Sequence, residues 1–512
     1  MSDATHDALH DAAPDPRRWW TLLVLCFSLL VIGLDNTILN VALPTIQEDL
    51  GATASQLSWI VDSYMLVFAA VLLTAGALGD RFGRKRALTF GLFVFGAASA
   101  LSAVAQSSEM LIATRALMGV GGAFIMPSTL SILTAVFPAA ERAKAIGIWA
   151  AVAGLGIVIG PVTGGWLVEN GDWSLIFLVN VPIVLVALLA GRFLVPESRD
   201  PAKPRLDAGG FALSSTGLAA LVWALIEAPS KGWTDPMILA GFALSALTLA
   251  AFVRWELRVR EPMLDVRLFR NRRFSAASGS ITLAFFALFG TMFFLTQYLQ
   301  LVLGYGAFES GLRLMPVAAG LILGGPLSAK LVERVGTKRV VAAGLALVAA
   351  GLALLGFAEV DSGYGLVAAV LGVLGLGMGL TMAPATESVM GSLPIAKASV
   401  GSAVNDATRT LGGALGVAVL GSLVSSGYRA GMDGITGPAQ DSLAGAIGVA
   451  GRAGGAEGAQ LLGIAQAAFV DGMHTAVLVG AAIAIVGSVL ALVALPARAP
   501  VPAVHEQEPL AA

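Results

Sequence analysis

Of the charged side chains that stand inside long apolar stretches, where an unsupported charge is costly, five are candidates for chemistry. Asp35 lies in the run 19–43, Arg115 in 109–134, Glu387 in 364–388, and Asp406 and Arg409 in 399–424. A carboxylate or guanidinium at bilayer depth costs at least about 2.5–3.5 kcal/mol unless it faces a cavity or a partner. The chemistry open to such an acid is reversible protonation, because burial favours its neutral form and a neighbouring cation favours the anion. Counted along a helix that rises about 1.5 Å per residue, Asp35 and Arg115 fall at similar depth and are expected partners. Movement of Arg115 would then switch Asp35 between binding and releasing a proton; a static ion pair is the plainer alternative. Asp406 and Arg409 are three apart, hence on one helix face, and can pair with each other, while Glu387 falls near the end of its run. Asn36, Asn40, Gln297 and Gln300 offer polar contacts to a ligand, and Trp59 and Tyr64 aromatic ones, although packing is the commoner role for such residues.

A second kind of chemistry is electrostatic latching. Residues 76–88 read GALGDRFGRKRAL and residues 329–341 read AKLVERVGTKRVV. A displacement of 253 places Asp80 on Glu333, Arg81 on Arg334 and Gly83 on Gly336. In the first stretch Gly76, Gly79 and Gly83 permit a tight turn, and Asp80 stands among Arg81, Arg84 and Lys85. A carboxylate at such a helix end can pair with cations and with a helix N-terminus in one of two conformations. The plainer reading is topological, since basic loops stay on the inner side of a membrane whatever else they do.

The elements that must position these residues are membrane helices. Apolar residues make up 57% of the chain and charged residues 12%, against about 25% charged in an ordinary globular domain; mean hydropathy is +0.83. A bilayer core needs about 20 apolar residues per helix, and fourteen runs of that kind can be counted, the first near residue 19 and the ninth near 274. With the N-terminus inside, 25 of the 31 Lys and Arg fall in inner segments, as the positive-inside rule requires. The repeat divides the chain into an inner tail 1–18, a six-helix bundle 19–195, a linker with two extra spans 196–273, a second six-helix bundle 274–497 and an inner tail 498–512. Within the second bundle, 425–473 is expected to form a long outer loop, with 459–471 a separate helix resting at the interface. The fold class expected is an all-α polytopic membrane protein of fourteen transmembrane helices.

Several motifs together carry a family resemblance. They are the turn 76–88; LIATRALMGVGGA at 111–123, centred on Arg115; GIVIGPVTGGW at 156–166; LDNTILNVALP at 34–44, with Asp35 as its acid; and SAVNDATRTLGGALGVAVLG at 402–421. In these the chain resembles the major facilitator superfamily and, within it, the fourteen-span drug:proton antiporters. The resemblance runs over roughly residues 17–497. The stretch 156–166 matches the antiporter signature, and the resemblance implies that Gly156, Gly160, Pro161, Gly164 and Gly165 let the two halves pack closely and bend there. The chain departs from that family at 173–177, which read Trp-Ser-Leu-Ile-Phe and lack an arginine common there.

The resemblance implies proton-coupled export of amphipathic drugs or antibiotic-like small molecules across the plasma membrane of a bacterium, with both termini cytoplasmic. A narrow exporter of one self-made metabolite and a transport-inactive sensor are the alternatives. The chain has no GxxxxGK[ST] loop, no clustered metal ligands and no evident nucleophile–histidine pair, which argues against ATP-driven pumping and against an enzyme. No cofactor or metal is expected. A net charge of −2 gives no reason to expect nucleic acid. The single cysteine, Cys26, excludes an intrachain disulfide. The partners expected are a small-molecule substrate, protons and lipid, and the chain is expected to be a monomer.

Overall fold

The computed structural model describes residues 16–201 and 207–496. The tail expected at 498–512, and all but the last three residues of that expected at 1–18, lie outside them. Among the described residues, fourteen helices of fifteen residues or more run in chain order. They are α1 (Arg18–Leu50), α2 (Ala54–Phe82), α3 (Arg84–Ser102), α4 (Ser108–Val136), α5 (Ala139–Asn170), α6 (Asn180–Leu194), α7 (Ala208–Lys231) and α8 (Pro236–Glu256). Then come α9 (Arg272–Gln297), α10 (Met315–Val335), α11 (Thr337–Leu355), α12 (Tyr364–Met390), α13 (Ala398–Gly431) and α14 (Gly455–Ala494). No strand occurs among the described residues.

Local chemistry sets the helix ends. The Thr53 hydroxyl accepts from the Gln56 N–H while the Gln56 side chain accepts from the Thr53 N–H, a reciprocal cap that starts α2. Ser107, Asp207, Asp235 and Asn271 start α4, α7, α8 and α9 by accepting from the first-turn backbone. The two basic turns share one device. Gly83 and Gly336 take φ of 120° and 85°, values that a β-carbon disfavours, so each helix pair reverses through a single residue.

Helices α1 to α6 pack on one another, chiefly α1 on α5 and α4 on both α2 and α3. Helices α9 to α14 do the same through α9 with α13, α10 with α12, and α11 with α12 and α14. The hairpin α7–α8 leans by α7 on α2 and α13. The halves meet along two seams, α2 against α13 and α5 against α10. The 253-residue displacement carries one seam onto the other. Small residues make both: a β-carbon on Gly76 would lie 2.8 Å from the Ser399 carbonyl oxygen, and one on Gly147 would lie 3.2 Å from the Gly325 backbone. In lipid, where apolar surface gains little by leaving one apolar neighbour for another, such close approach is what joins helices.

Two expectations need restating. Among the described residues thirteen helical segments, not fourteen, are long and apolar enough to cross a membrane. The remaining helix, α3, has 19 residues but opens with Arg84, Lys85 and Arg86, which lower its mean hydropathy. Residues 459–471 are not a separate interfacial helix. They form the first turns of α14, a continuous helix of 40 residues and so about 60 Å long, twice the thickness of a hydrocarbon core. The loop shortens to 432–454, and Tyr428 ties it down by donating to the Ala439 carbonyl at 2.6 Å.

A close backbone contact between α1 and α5 predicts a stability effect. A β-carbon on Gly156 would lie 2.9 Å from Gly33 Cα, so Gly156→Val forces α1 and α5 apart. Overpacking of this kind costs about 1–3 kcal/mol, and the unfolding temperature in detergent should fall. At Gly372, where a β-carbon meets nothing within 4 Å, alanine should leave it unchanged or higher; equal melting of both variants would overturn the packing argument.

Candidate functional site

Asp35 sits at the meeting point of five helices. Arg115 of α4 donates to its carboxylate at 2.5 Å, and Asn180 of α6 donates at 3.3 Å. Asn180 also donates to Ser99 of α3 at 3.2 Å. Arg115 is held in turn by α2, through the Ile60 carbonyl at 3.1 Å and the face of the Tyr64 ring at 4.7 Å. Asp35 is fully buried and Arg115 nearly so. A buried ion pair adds little net stability, but removing one partner leaves a bare charge at a cost of about 3–5 kcal/mol.

The second cluster closes the end of the bundle that carries the basic turns. The Asp80 carboxylate, at the end of α2, accepts from Arg84 at 2.9 and 3.0 Å. It also accepts from the backbone N–H groups of Ser399 and Val400 at 3.1 Å each. These two groups open α13, so an acid of the first half caps a helix of the second, where the helix dipole favours negative charge. Arg84 reaches across the same seam to the carbonyls of Ile395 and Ala396 at 2.5 and 3.2 Å. A strap runs beneath: the Asp200 N–H donates to the Asp80 carbonyl at 2.7 Å, and the Glu197 carboxylate accepts from the Lys85 N–H at 3.1 Å. The φ of 120° favours glycine at Gly83, and a β-carbon there would also displace the Glu197 carboxylate, 2.6 Å away. Gly79 brings α2 to within ordinary contact of Ser399, and the Arg81 guanidinium lies 5.2 Å from the Phe82 ring. The structure does not bring the duplicated turn into the clamp: Glu333 and Arg334 are exposed, and among the described residues neither has an ion-pair partner.

Between the halves, Arg409 of α13 lies 4.7 Å from the Trp149 ring of α5 and 5.4 Å from the Phe285 ring of α9. It donates to Thr386 at 3.2 Å and is only loosely paired with Asp406, at 3.9 Å. Trp149 is fixed by donating to Thr129 at 3.1 Å. Glu387 Oε2 is buried without a hydrogen-bond partner, within the field of Arg142 from the first half and Arg273 from the second.

The glycine run of α5 divides its labour differently from expectation. Gly156, Gly160 and Gly164, four apart, face α1 inside the same half, against Gly33, Thr37 and Ile38. Only Gly165 and Pro161 face the other half, against Phe308 and Gly311 of the short helix Ala307–Arg313. Of the proposed ligand contacts, Tyr64 belongs to the Asp35 network, and Trp59 lines a small crevice with Asp62, Trp223 and Glu227. Gln297 donates to its own helix at the Phe293 carbonyl, Gln300 is half-buried, Asn36 Oδ1 is buried without a partner, and the Asn40 side chain lies outside the described set. Asn180, Ser99 and Trp149 were not anticipated. Asn180 carried the same signal as Asp35, a polar residue inside an apolar run, whereas nothing in the sequence sets Trp149 apart.

Two bundles joined by pseudo-symmetric seams, with a buried acid–base pair in the first, agree with what sequence comparison finds. The profile of the Major Facilitator Superfamily matches residues 25–417, and the chain belongs to that family. It is 39% identical over 484 residues to the multidrug efflux pump LfrA of Mycolicibacterium smegmatis, covering 92% of this chain and 96% of that one. It is 34% identical over 513 residues to the tetracenomycin C resistance and export protein of Streptomyces glaucescens, covering 96% and 95%. Its fold is similar to the crystal structure of the human organic anion transporter MFSD10, with a TM-score of 0.61 at 16% identity, over 93% of this chain and 100% of that one.

The clamp predicts a shift in accessibility. With Cys26→Ser as background and Ser402→Cys as probe on α13, Asp80→Asn should raise thiol labelling from the basic end. If the substitution removes about 1.4 kcal/mol from the closed state, the rise is about tenfold. Glu333→Gln should leave the rate unchanged. Unaltered labelling in an Asp80→Asn protein that has lost transport would rule out the clamp.

Proposed function

We propose that this protein is a proton-coupled exporter of amphipathic drugs or antibiotic-like small molecules at the plasma membrane of a bacterium. The observation that carries the reading is the buried Asp35–Arg115 pair, whose acid accepts bonds from two helices and whose base grips a third. In this reading the basic end is cytoplasmic, both termini lie there, and α3 is the fourteenth span. The bundles 19–195 and 274–497 move as halves of a monomer about the insert 196–273. The clamp at Asp80 is closed at the cytoplasmic end, which corresponds to the outward-facing state. A proton entering from outside neutralises Asp35 and frees Arg115. Arg115 then shifts its hold on α2, and the other end of α2 bears the clamp. Substrate enters between the halves once the clamp opens, where Trp149, Phe285 and Arg409 offer aromatic faces and a buried charge. The names of the multidrug and antibiotic-export relatives support the substrate class. A narrower exporter of one metabolite is supported by the single-compound name of the tetracenomycin C relative.

Two measurements test this reading. Asp35→Asn keeps size and hydrogen bonding and removes titration. In an efflux-deficient host it should abolish protonophore-sensitive drug resistance while the protein still reaches the membrane. Wild-type resistance from a well-expressed variant would overturn the coupling role, and a wild-type protein that confers no resistance to any compound would favour the sensor. For topology, Gln106→Cys at the exposed end of α3 should react with a membrane-impermeant maleimide on intact cells. Arg86→Cys, whose side chain is 73% exposed at the other end, should react only after permeabilisation; reaction of both without it would remove α3 from the membrane.

A further inference from the structure

Away from Asp35 and the clamp, two acids face each other at the foot of the α7–α8 hairpin. Asp207 caps α7 and Glu256 ends α8. One oxygen of each is engaged. Asp207 Oδ1 accepts from the Gly210 N–H and from the Trp255 indole at 2.8 Å each, and Glu256 Oε2 accepts from the Leu264 N–H at 3.2 Å. The other two, Asp207 Oδ2 and Glu256 Oε1, are buried and have no hydrogen-bond partner. Both point at one place: a β-carbon on Gly210 would lie 2.6 Å from either, so the oxygens are at most twice that distance apart. Glu256 is 3% exposed, and among the described residues no cation forms an ion pair with either acid.

Two ionised carboxylates this close, one of them 3% exposed, repel each other, which favours a proton held between them. A single shared proton removes both defects. The O–H of one acid donates to the carboxylate of the other, which lowers the charge by one and gives each orphan oxygen a partner. We propose that Asp207 and Glu256 bind one proton between them, and that this proton-binding site holds residues 257–271 against the clamp. The mechanical link is short. Glu256 anchors Leu264, and the adjoining Pro262 and Met263 wall a cavity of about 310 Å³ that Asp80, Arg81 and Lys397 also line.

The charges facing the pair across that cavity are Asp80 and Arg81 from α2 and Lys397 ahead of α13. Arg254, Arg258, Arg260 and Glu261 flank Glu256 in sequence, and Lys203 and Arg205 precede Asp207. The two cavity cations on that side disfavour a metal ion. The shared proton is present at low pH and lost as pH rises. Both acids are then ionised and repel; Glu256 moves off Asp207 and carries Leu264 with it, because the ionised carboxylate holds that N–H more strongly, and the segment leaves the clamp. An acid interior therefore keeps the clamp seated and restrains further proton entry; that direction of control rests on the basic end being cytoplasmic.

Infrared difference spectra of the purified protein, titrated from acid to alkaline pH, should contain a protonated-carboxyl band that Glu256→Gln and Asp207→Asn each remove. In parallel, Met263→Cys on the Cys26→Ser background is labelled at each pH. Its rate is divided by that of Arg258→Cys, an exposed reference, to cancel the titration of the thiol itself. The ratio should rise several-fold on alkalinisation and stay low when Glu256→Gln is added. A band that survives both substitutions, or a ratio flat with pH, overturns the proposal. So does protection of Met263→Cys by magnesium or calcium at alkaline pH that Glu256→Gln abolishes, since the pair would then be a metal site. None of these readings depends on sidedness or transport, so their failure is distinct from failure of the export reading.

Discussion

The N–H groups of Ser399 and Val400, unsatisfied as at the start of any helix, meet the carboxylate of Asp80 from the other half of the molecule. That contact joins the two halves at the end that carries the basic turns. Its charge is shared with Arg84, which is itself buried and extends to two carbonyls across the seam. Every group in the contact is one that water serves well. When the halves part, the carboxylate, guanidinium and helix terminus are all hydrated, and the net loss per hydrogen bond is only about 0.5–1.5 kcal/mol. A clamp of apolar side chains would give no such compensation. An exporter needs a closure that is specific in geometry and cheap to undo, and polar groups at a helix terminus supply both.

Close backbone packing flanks that contact. Gly76 brings α2 against α13 at the clamp, and Gly147 and Gly325 bring α5 against α10 at the related seam. Backbones in direct contact can slide or rock without large side chains changing rotamer. The duplication kept this geometry in both halves, down to the positive φ of Gly83 and Gly336. It did not keep the electrostatics: Asp80 is buried in the seam while Glu333 is exposed. In the state seen here the two turns therefore contribute unequally, and the repeat is a repeat of backbone more than of charge.

The sequence announced what lipid penalises and little else. Charges inside apolar runs located Asp35, Arg115, Asp406 and Arg409, since each must find a partner or a cavity. The pairing of Asp35 with Arg115 followed from depth alone. Partners set by the rotation of one helix about its axis were not legible, which is why Trp149, Ser99 and the α1-facing side of Gly156, Gly160 and Gly164 emerge only in three dimensions. Composition also misjudged the ends of spans. It cut α14 where hydropathy falls, at 473, although helical hydrogen bonding continues back to Gly455. It gave α3 the weight of its apolar body, while the three cations of its first turn count against it. Asp207 and Glu256 escaped notice for a related reason, because acids at helix ends in charged linkers look solvated until folding buries them.

In the proposed cycle the remaining question is how an event at Asp35 reaches Asp80. The candidate conductor is α2, which Arg115 grips at Ile60 and Tyr64 and which ends in the clamp. Twenty residues separate Ile60 from Asp80, about 30 Å of helix. Helices α4, α5, α7, α10 and α12 carry an internal proline, and each such proline removes a backbone hydrogen bond and marks a place to bend. Helix α2 has none over Ala54–Phe82. A rod without a joint transmits displacement at one end to the other, whereas a jointed helix absorbs it. Helix α2 is thus one proline-free helix that reaches both the Asp35–Arg115 pair and the clamp; α3, with Ser99 beside the pair and Arg84 in the clamp, is another.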